Sequence, residues 1–74
     1  MRKSADQEKL QKAYRILQKK GYNPIDQIVG FLLTDDPTYI TSAEGARKLV
    51  AGMETEKVLC EIVESYFDSD GTEN

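Results

Sequence analysis

The chain has 74 residues, a net charge of −3, one cysteine and no histidine, which allows one domain and excludes an internal disulfide or a zinc site of several thiolates and imidazoles. A core of this size is marginal alone, so we expect a homodimer. No apolar run approaches the roughly 20 residues of a membrane span, and a free cysteine without a secretion signal indicates the cytoplasm.

The first predicted element is a basic helix that covers Ala5 to Lys19, after a flexible segment at residues 1–4. An apolar stripe at helical spacing predicts it: Leu10, Ala13, Tyr14 and Leu17. Gly21 is predicted to end it, because glycine adopts left-handed angles easily. Residues 1–20 hold seven cations against two acids (+5), and the remainder holds three against eleven (−8). The basic face is interpreted as a solvated surface, as a site for an acidic partner, or as one side of a head-to-tail electrostatic contact within a dimer.

The second predicted helix runs from Pro24 to about Thr34. Asn23 is a favoured N-cap, and proline suits the first helical position. The helix is apolar over most of its circumference, so we expect it to be the buried centre of the fold. Gly30 costs about 1 kcal/mol relative to alanine in a helix, and we expect a close helix–helix approach there.

The segment Asp35-Asp36-Pro37 is predicted to end helix two, because proline cannot continue a helix. The two acids are interpreted as turn residues that cap helix three or meet Arg47 or Lys48, rather than as catalytic or metal-binding carboxylates. Residues 38–40 are expected to form a short extended connector whose two apolar side chains cover the core.

The third helix is predicted from a capping box, because Thr41 and Glu44 have its spacing. This helix is expected to run to about Ala51, with Gly52 as its stop. Its predicted inward-facing side chains are Ala46, Leu49 and Val50.

The fourth helix is expected to start near Glu54 or Thr55 and to end at about Phe67. Six apolar side chains are predicted to line its inner side: Val58, Leu59, Ile62, Val63, Tyr66 and Phe67. Residues 68–74 are predicted to be a disordered acidic tail. The fold class is therefore all-α: a compact bundle of about four short helices within a single domain at residues 5–67.

Residue types that support catalysis are scarce. The usual general base, histidine, is absent, and the glycines do not form a phosphate-binding loop. Cys60 is interpreted as a small packing residue rather than a reactive thiol. We therefore expect no enzyme activity, no cofactor and no metal.

Helix two, the connector and helix three allow an alternative interpretation as a helix-turn-helix that binds nucleic acid. That function needs a basic recognition helix. Helix three offers only Arg47 and Lys48, in a body with a net charge of −8, so nucleic-acid binding is the second hypothesis.

Aromatic and polar side chains around helix two form the candidate partner or ligand surface. Tyrosines here are typical of core packing with the hydroxyl at the surface. The alternative is an aromatic–polar pocket, to which Tyr66 also belongs, for a peptide or small ligand. The candidate residues of this surface are Tyr22, Asn23, Gln27, Asp36, Tyr39 and Arg47.

The central segment closely resembles the signature of the IreB regulatory phosphoprotein family. The matching motifs are GYNPI at Gly21–Ile25, QIVG at Gln27–Gly30 and DPTYI at Asp36–Ile40. The second half matches in order and spacing at Ala46, Arg47, Glu54, Glu61, Val63 and Tyr66. The resemblance covers about residues 14–67, most of the chain.

The resemblance implies a small cytoplasmic, all-helical homodimer from Gram-positive bacteria, with no catalytic activity. It implies phosphorylation by a transmembrane Ser/Thr kinase with cell-wall-sensing modules, reversal by a phosphatase, and a role in cell-envelope stress and cephalosporin tolerance through an unidentified downstream protein. The family's acceptor threonines precede helix one, whereas Ser4 is the only hydroxyl in that segment here. Ser4 is therefore the candidate phosphorylation site. At Asp35, relatives more often have glycine.

Overall fold

Four α-helices and two single 3₁₀ turns make up the part of the chain that the structure describes. The computed structural model describes residues 5–70, with side chains described as far as Asp68. The elements are α1 (Ala5–Lys19), α2 (Pro24–Thr34), the first 3₁₀ turn (Pro37–Tyr39), the second 3₁₀ turn (Ala43–Gly45), α3 (Ala46–Val50) and α4 (Thr55–Asp70). Within residues 5–70 there is no strand, and no helix is long and apolar enough to cross a membrane. The all-α prediction is confirmed.

The end of α1 forms as predicted. The Gly21 backbone is left-handed, with φ at 86°. The N–H of Tyr22 donates to the carbonyl of Leu17 at 3.0 Å, and that of Gly21 donates to the carbonyl of Gln18 at 3.1 Å. This paired arrangement is a Schellman motif, which satisfies carbonyls that the helix itself leaves open.

The core lies where α1 and α3 pack together, with α2 against α1 and α4 against α2. Ala13 and Ala46 are fully buried, and such small side chains let two helices approach closely. The largest fully buried side chains are Phe31, Leu17, Ile40, Val50 and Val58. Every fully buried residue of this core is apolar, so burial of apolar area is its main source of stability.

Helix α2 begins as predicted but is not the buried centre. Asn23 Oδ1 accepts the N–H of Asp26 at 3.1 Å, which caps the helix. Only Phe31 and Leu32 of this helix are buried. One side of the helix packs against the rest of the chain, and an adjacent apolar side is largely exposed. The expectation that α2 is the buried centre of the fold was therefore wrong.

Gly30 permits a close approach, but its partner is a tyrosine ring and not a helix. A Cβ at this position would lie 2.5 Å from Cδ1 of Tyr39. Tyr39 belongs to the first 3₁₀ turn, which folds back over α2. Because Gly30 has no side chain, the ring of Tyr39 can pack directly against the backbone of α2.

The sequence predicted an extended connector after α2, but the connector forms a 3₁₀ turn. Asp36 caps the first 3₁₀ turn: its Oδ1 accepts the N–H of Thr38 at 3.0 Å and the hydroxyl of Thr38 at 2.7 Å. These bonds favour a turn over an extended chain. Ile40 is fully buried while Tyr39 is half exposed, so one apolar side chain of the connector covers the core, not two.

The predicted capping box is not formed. Gln27 Oε1 already accepts the N–H of Thr41 at 2.9 Å, and the Glu44 carboxylate pairs with Lys20 Nζ at 2.9 Å. Glu44 and Gly45 both adopt left-handed angles, with φ at 50° and 80°. Helix α3 therefore begins at Ala46. It ends at Val50, close to the prediction, and Gly52 follows with φ at 79°.

Helix α4 continues to Asp70, beyond the predicted end at Phe67. Of the six side chains predicted to face inward, only Val58 is buried and Leu59 is half-buried. The other four are exposed, so the expectation of a continuous inner side was wrong.

Candidate interaction surface

An apolar strip runs along the outer face of α2. Ile25, Val29 and Leu33 recur every four residues, which places them on one side of the helix. Their exposed fractions are 58%, 46% and 75%. Exposed aliphatic side chains aligned in this way mark an interaction site more often than scattered single ones do.

Helix α4 carries a second exposed apolar face, formed by Ile62, Val63, Tyr66 and Phe67. The rings of Tyr66 and Phe67 contact each other edge to face, with centroids 5.1 Å apart and planes at 88°. Aromatic side chains supply large contact areas in protein interfaces. We call this face and the strip of Ile25, Val29 and Leu33 together the apolar surface.

A groove of about 430 Å³ joins the two parts of the apolar surface. Its lining comes from α1, α2 and α4: Gln7, Leu10, Gln11, Tyr14, Ile25, Ile28, Ile62 and Ser65. Gln7 Nε2 donates to Glu61 Oε1 at 3.2 Å and ties α1 to α4 at its edge. An apolar groove with a few polar groups can accept a helix or peptide side chains.

Three of the four polar candidates from the sequence hold the connector in place. Gln27 accepts the N–H of Thr41, and Arg47 Nε donates to the carbonyl of Ile40 at 2.8 Å. Asn23 caps α2 and Asp36 caps the first 3₁₀ turn. Gln27, Asp36 and Arg47 therefore have structural roles around one segment, residues 36–41, whereas Asn23 has its role at the start of α2.

The two adjacent acids have separate roles. Asp35 is the left-handed C-cap of α2, with φ at 58°, and its N–H donates to the carbonyl of Phe31 at 2.7 Å. The side-chain and backbone hydrogen bonds from Thr38 hold the pKa of Asp36 below its ordinary value, and the charge of Arg47 adds to this in a minor way. Asp36 therefore caps the 3₁₀ turn rather than helix three.

The three tyrosines of the predicted pocket, Tyr22, Tyr39 and Tyr66, do not line the groove described above. Tyr22 and Tyr39 are exposed by 45% and 50%, and Tyr39 rests on Gly30. Tyr66 belongs to the apolar surface on α4. Ser4, the candidate phosphorylation site, lies outside the described residues.

Cys60 is exposed, so its interpretation as a packing residue was wrong. It lies at a shallow groove of about 540 Å³, lined also by Asp35, Glu54, Thr55, Glu56 and Lys57. Among residues 5–70, no group of three or more histidine, cysteine or acidic side chains is placed to hold a metal ion.

The helix-turn-helix alternative is not favoured by the geometry of α3. This helix has five residues, and Arg47 directs its Nε to the protein's own backbone. Only Lys48 then remains on α3 as a free cation for phosphates, and a recognition helix needs several such contacts.

Sequence reasoning missed the apolar surface, because it assigned the same side chains to the interior. The signal was present: α2 is apolar over more of its circumference than one neighbouring layer can cover.

A model of the IreB regulatory phosphoprotein family matches residues 1–68 of the chain.

Proposed function

We propose that this chain, which belongs to the IreB regulatory phosphoprotein family, is a non-enzymatic homodimeric regulator. Its proposed role is to bind a downstream protein. In this proposal a Ser/Thr kinase and a phosphatase set its phosphorylation in the cytoplasm. By resemblance, the pathway is cell-envelope stress and antibiotic tolerance in a Gram-positive bacterium. Ser4 is the proposed acceptor in the N-terminal segment.

The observation that carries the proposed dimer is the apolar surface. Leu33 is 75% exposed and Phe67 is 64% exposed, although both belong to ordered helices. A second copy that covers these side chains would remove apolar area from water at about 25 cal/mol per Å². The dimer contact would thus add stability that the small core of one chain cannot supply by itself.

The dimer is tested by sedimentation equilibrium of the full chain at micromolar concentration, with Leu33→Glu as the variant. We expect a dimer for the wild type and a monomer for Leu33→Glu, because a carboxylate buried in an apolar interface is strongly unfavourable. Helical circular dichroism should be retained, since Leu33 does not belong to the core of one copy.

Gln18→Glu is the matched control. Gln18 is exposed on α1 and is absent from the apolar surface and from the groove. This variant adds the same charge and should remain dimeric. A strictly monomeric wild type would refute the proposed dimer, and a dimeric Leu33→Glu would refute its placement on the apolar surface.

The proposed contact with the downstream protein lies at the candidate surface around residues 36–41. Tyr22 and Tyr39 are its exposed aromatic members. Gln27, Asp36 and Arg47 hold the connector that carries Tyr39, and Asn23 caps α2 next to Tyr22. Exposed tyrosines on a rigid scaffold are frequent interface anchors.

A further inference from the structure

Four charged side chains form a stripe along the outer side of α1. The stripe begins with one acid and continues with three cations: Glu8, Lys12, Arg15 and Lys19. Their spacing of four, three and four residues places them on one side of the helix, within an arc of roughly 60° at about 100° per residue. All four are exposed, and none of them lines the groove or belongs to the apolar surface. We call these four residues the α1 stripe.

Helix α4 carries a stripe with the same spacing and with the opposite charge at every position. It begins with one cation and continues with three acids: Lys57, Glu61, Glu64 and Asp68. Each member lies 49 positions after its counterpart on α1. Three of the four are exposed, and Glu61 is half-buried and accepts the side-chain amide of Gln7 in its own chain. We call these four residues the α4 stripe.

The two stripes do not neutralise each other within one copy. Among the side chains that the structure describes, the seven exposed members of the stripes belong to no ion pair, and the ion pair that is present joins Lys20 to Glu44. One copy therefore presents two complementary rows of charge to its surroundings.

The α4 stripe lies on the side of α4 opposite its exposed apolar face, since the two sets of residues are separated by nearly half a turn of the helix. A second copy that covers the apolar surface would leave the α4 stripe open. The α1 stripe lies outside the apolar surface as well. Both stripes are thus available to a copy other than the one that covers the apolar surface.

The order of the charges specifies the direction in which two such helices would align. In a parallel alignment every position joins opposite charges: Glu8 with Lys57, Lys12 with Glu61, Arg15 with Glu64, and Lys19 with Asp68. The other charged residues of α1, Asp6 and Lys9, would lie opposite uncharged positions. An antiparallel alignment would set acid against acid at one end and cation against cation at the other. Like charges in contact are unfavourable, so the pattern selects the parallel register.

We propose that the α1 stripe of one copy docks in parallel against the α4 stripe of another copy, and that this contact joins the proposed dimers into larger assemblies. The contact is heterologous, because different surfaces of the two copies meet, so it can extend beyond two dimers. Exposed ion pairs are individually weak and are screened by salt. The assembly therefore forms at low salt and high protein concentration. This inference rests on the proposed function only for the dimer that the contact joins.

The mixed sign of the α1 stripe favours another copy over a nucleic acid or an anionic membrane. Glu8 would face a like charge on a polyphosphate or on anionic lipid, and the whole chain has a net charge of −3. The apolar side of α1 is buried at Ala13 and Leu17, so it is not available for insertion into a membrane. The α4 stripe instead supplies a cation opposite Glu8 and acids opposite the three cations.

Sedimentation velocity of the full chain at high protein concentration tests the contact. The runs use about 10 mM and about 1 M NaCl, between which the Debye length falls from roughly 30 Å to roughly 3 Å. We expect species larger than the dimer at low salt and the dimer alone at high salt. The dimer alone in both conditions, or larger species that persist at high salt, would overturn the proposal.

Charge reversal on both helices tests the register. Arg15→Glu should weaken the low-salt association about fivefold, because one exposed ion pair is lost and a like-charge contact replaces it. Arg15→Glu combined with Glu64→Arg should restore the association, because opposite charges meet again. Helical circular dichroism should be unchanged, since both positions are exposed.

Lys48→Glu is the matched control. Lys48 is exposed on α3, belongs to neither stripe, and its substitution changes the net charge by the same amount as Arg15→Glu. The low-salt association should therefore stay close to that of the wild type. An equal effect from Lys48→Glu, no effect from Arg15→Glu, or no recovery in the double variant would contradict the proposed pairing.

Leu33→Glu separates this inference from the proposed dimer. We expect this variant to be monomeric at high salt and to keep a salt-sensitive association through the stripes at low salt. A wild type that stays dimeric in both conditions would overturn this inference and leave the proposed dimer intact. A polyglutamate peptide or a DNA oligonucleotide that binds the wild type but not Arg15→Glu, without association of copies, would assign the α1 stripe to another occupant and also overturn the proposal.

Discussion

At the scale of single residues, Gly30 and Tyr39 give the sharpest prediction. Alanine at position 30 would place its Cβ 2.5 Å from the Tyr39 ring. We expect Gly30→Ala to destabilise the fold by about 1–3 kcal/mol, because this overpacking outweighs the helix propensity gained. Urea unfolding at one fixed protein concentration measures the change.

Removing the ring should reverse the sign of that effect. In a Tyr39→Ala background the space above position 30 is open, so Gly30→Ala should stabilise by roughly 1 kcal/mol, the ordinary preference for alanine in a helix. Stabilisation by Gly30→Ala in the wild type would show that the ring moves aside without cost. It would refute the interpretation that the ring needs glycine at position 30.

Asp36 gives a prediction about pH. Its lowered pKa arises first from the Thr38 hydroxyl and then from the Thr38 N–H. A carboxyl with a depressed folded-state pKa stabilises the fold above its unfolded-state pKa, and this contribution is lost as pH falls through the folded-state pKa. Thr38→Val should raise the pKa of Asp36 toward its ordinary value, as measured by carboxyl ¹³C NMR titration.

Thr34→Val is the control for that titration. The Thr34 hydroxyl donates to the carbonyl of Gly30 and not to a carboxylate. The pKa of Asp36 should therefore stay at its wild-type value in this variant. If Thr38→Val also left the pKa unchanged, the hydroxyl would not be its main cause.

At the scale of elements, the connector is held by Gln27 of α2 and Arg47 of α3. Arg47 Nε donates to the carbonyl of the buried Ile40. Arg47→Ala should cost about 1–3 kcal/mol, because the carbonyl loses its partner in a partly buried place. Lys48→Ala, on the exposed side of the same helix, should stay within about 0.5 kcal/mol of the wild type in the same urea unfolding experiment. Equal effects from the two variants would contradict the role given to Arg47.

Helix ends governed by local chemistry were predictable from the sequence. The Asn23-Pro24 start and the Gly21 stop use neighbours in the chain, so short motifs suffice. The capping-box prediction was wrong because residues distant in sequence bind its members. Gln27 accepts the N–H of Thr41, and Lys20 forms an ion pair with Glu44. No local pattern contains those competing bonds.

At the scale of the whole molecule, the sequence predicted which side chains are apolar but not what covers them. Periodicity assigned Ile62, Val63, Tyr66 and Phe67 to an inner side, whereas all four are exposed. A helical pattern identifies an apolar face equally well whether it packs within one copy or against another. The sequence also did not predict the apolar surface on α2 and α4, nor that Gln27, Asp36 and Arg47 hold the connector.

The central claim is that a second copy covers the apolar surface. An isotope-filtered NOE experiment on a mixture of ¹³C-labelled and unlabelled chains tests it most directly, because only contacts between copies give signals. We expect intermolecular cross-peaks from the methyl groups of Ile25, Val29 and Leu33. An absence of intermolecular cross-peaks, or cross-peaks confined to the basic outer face of α1, would contradict the account.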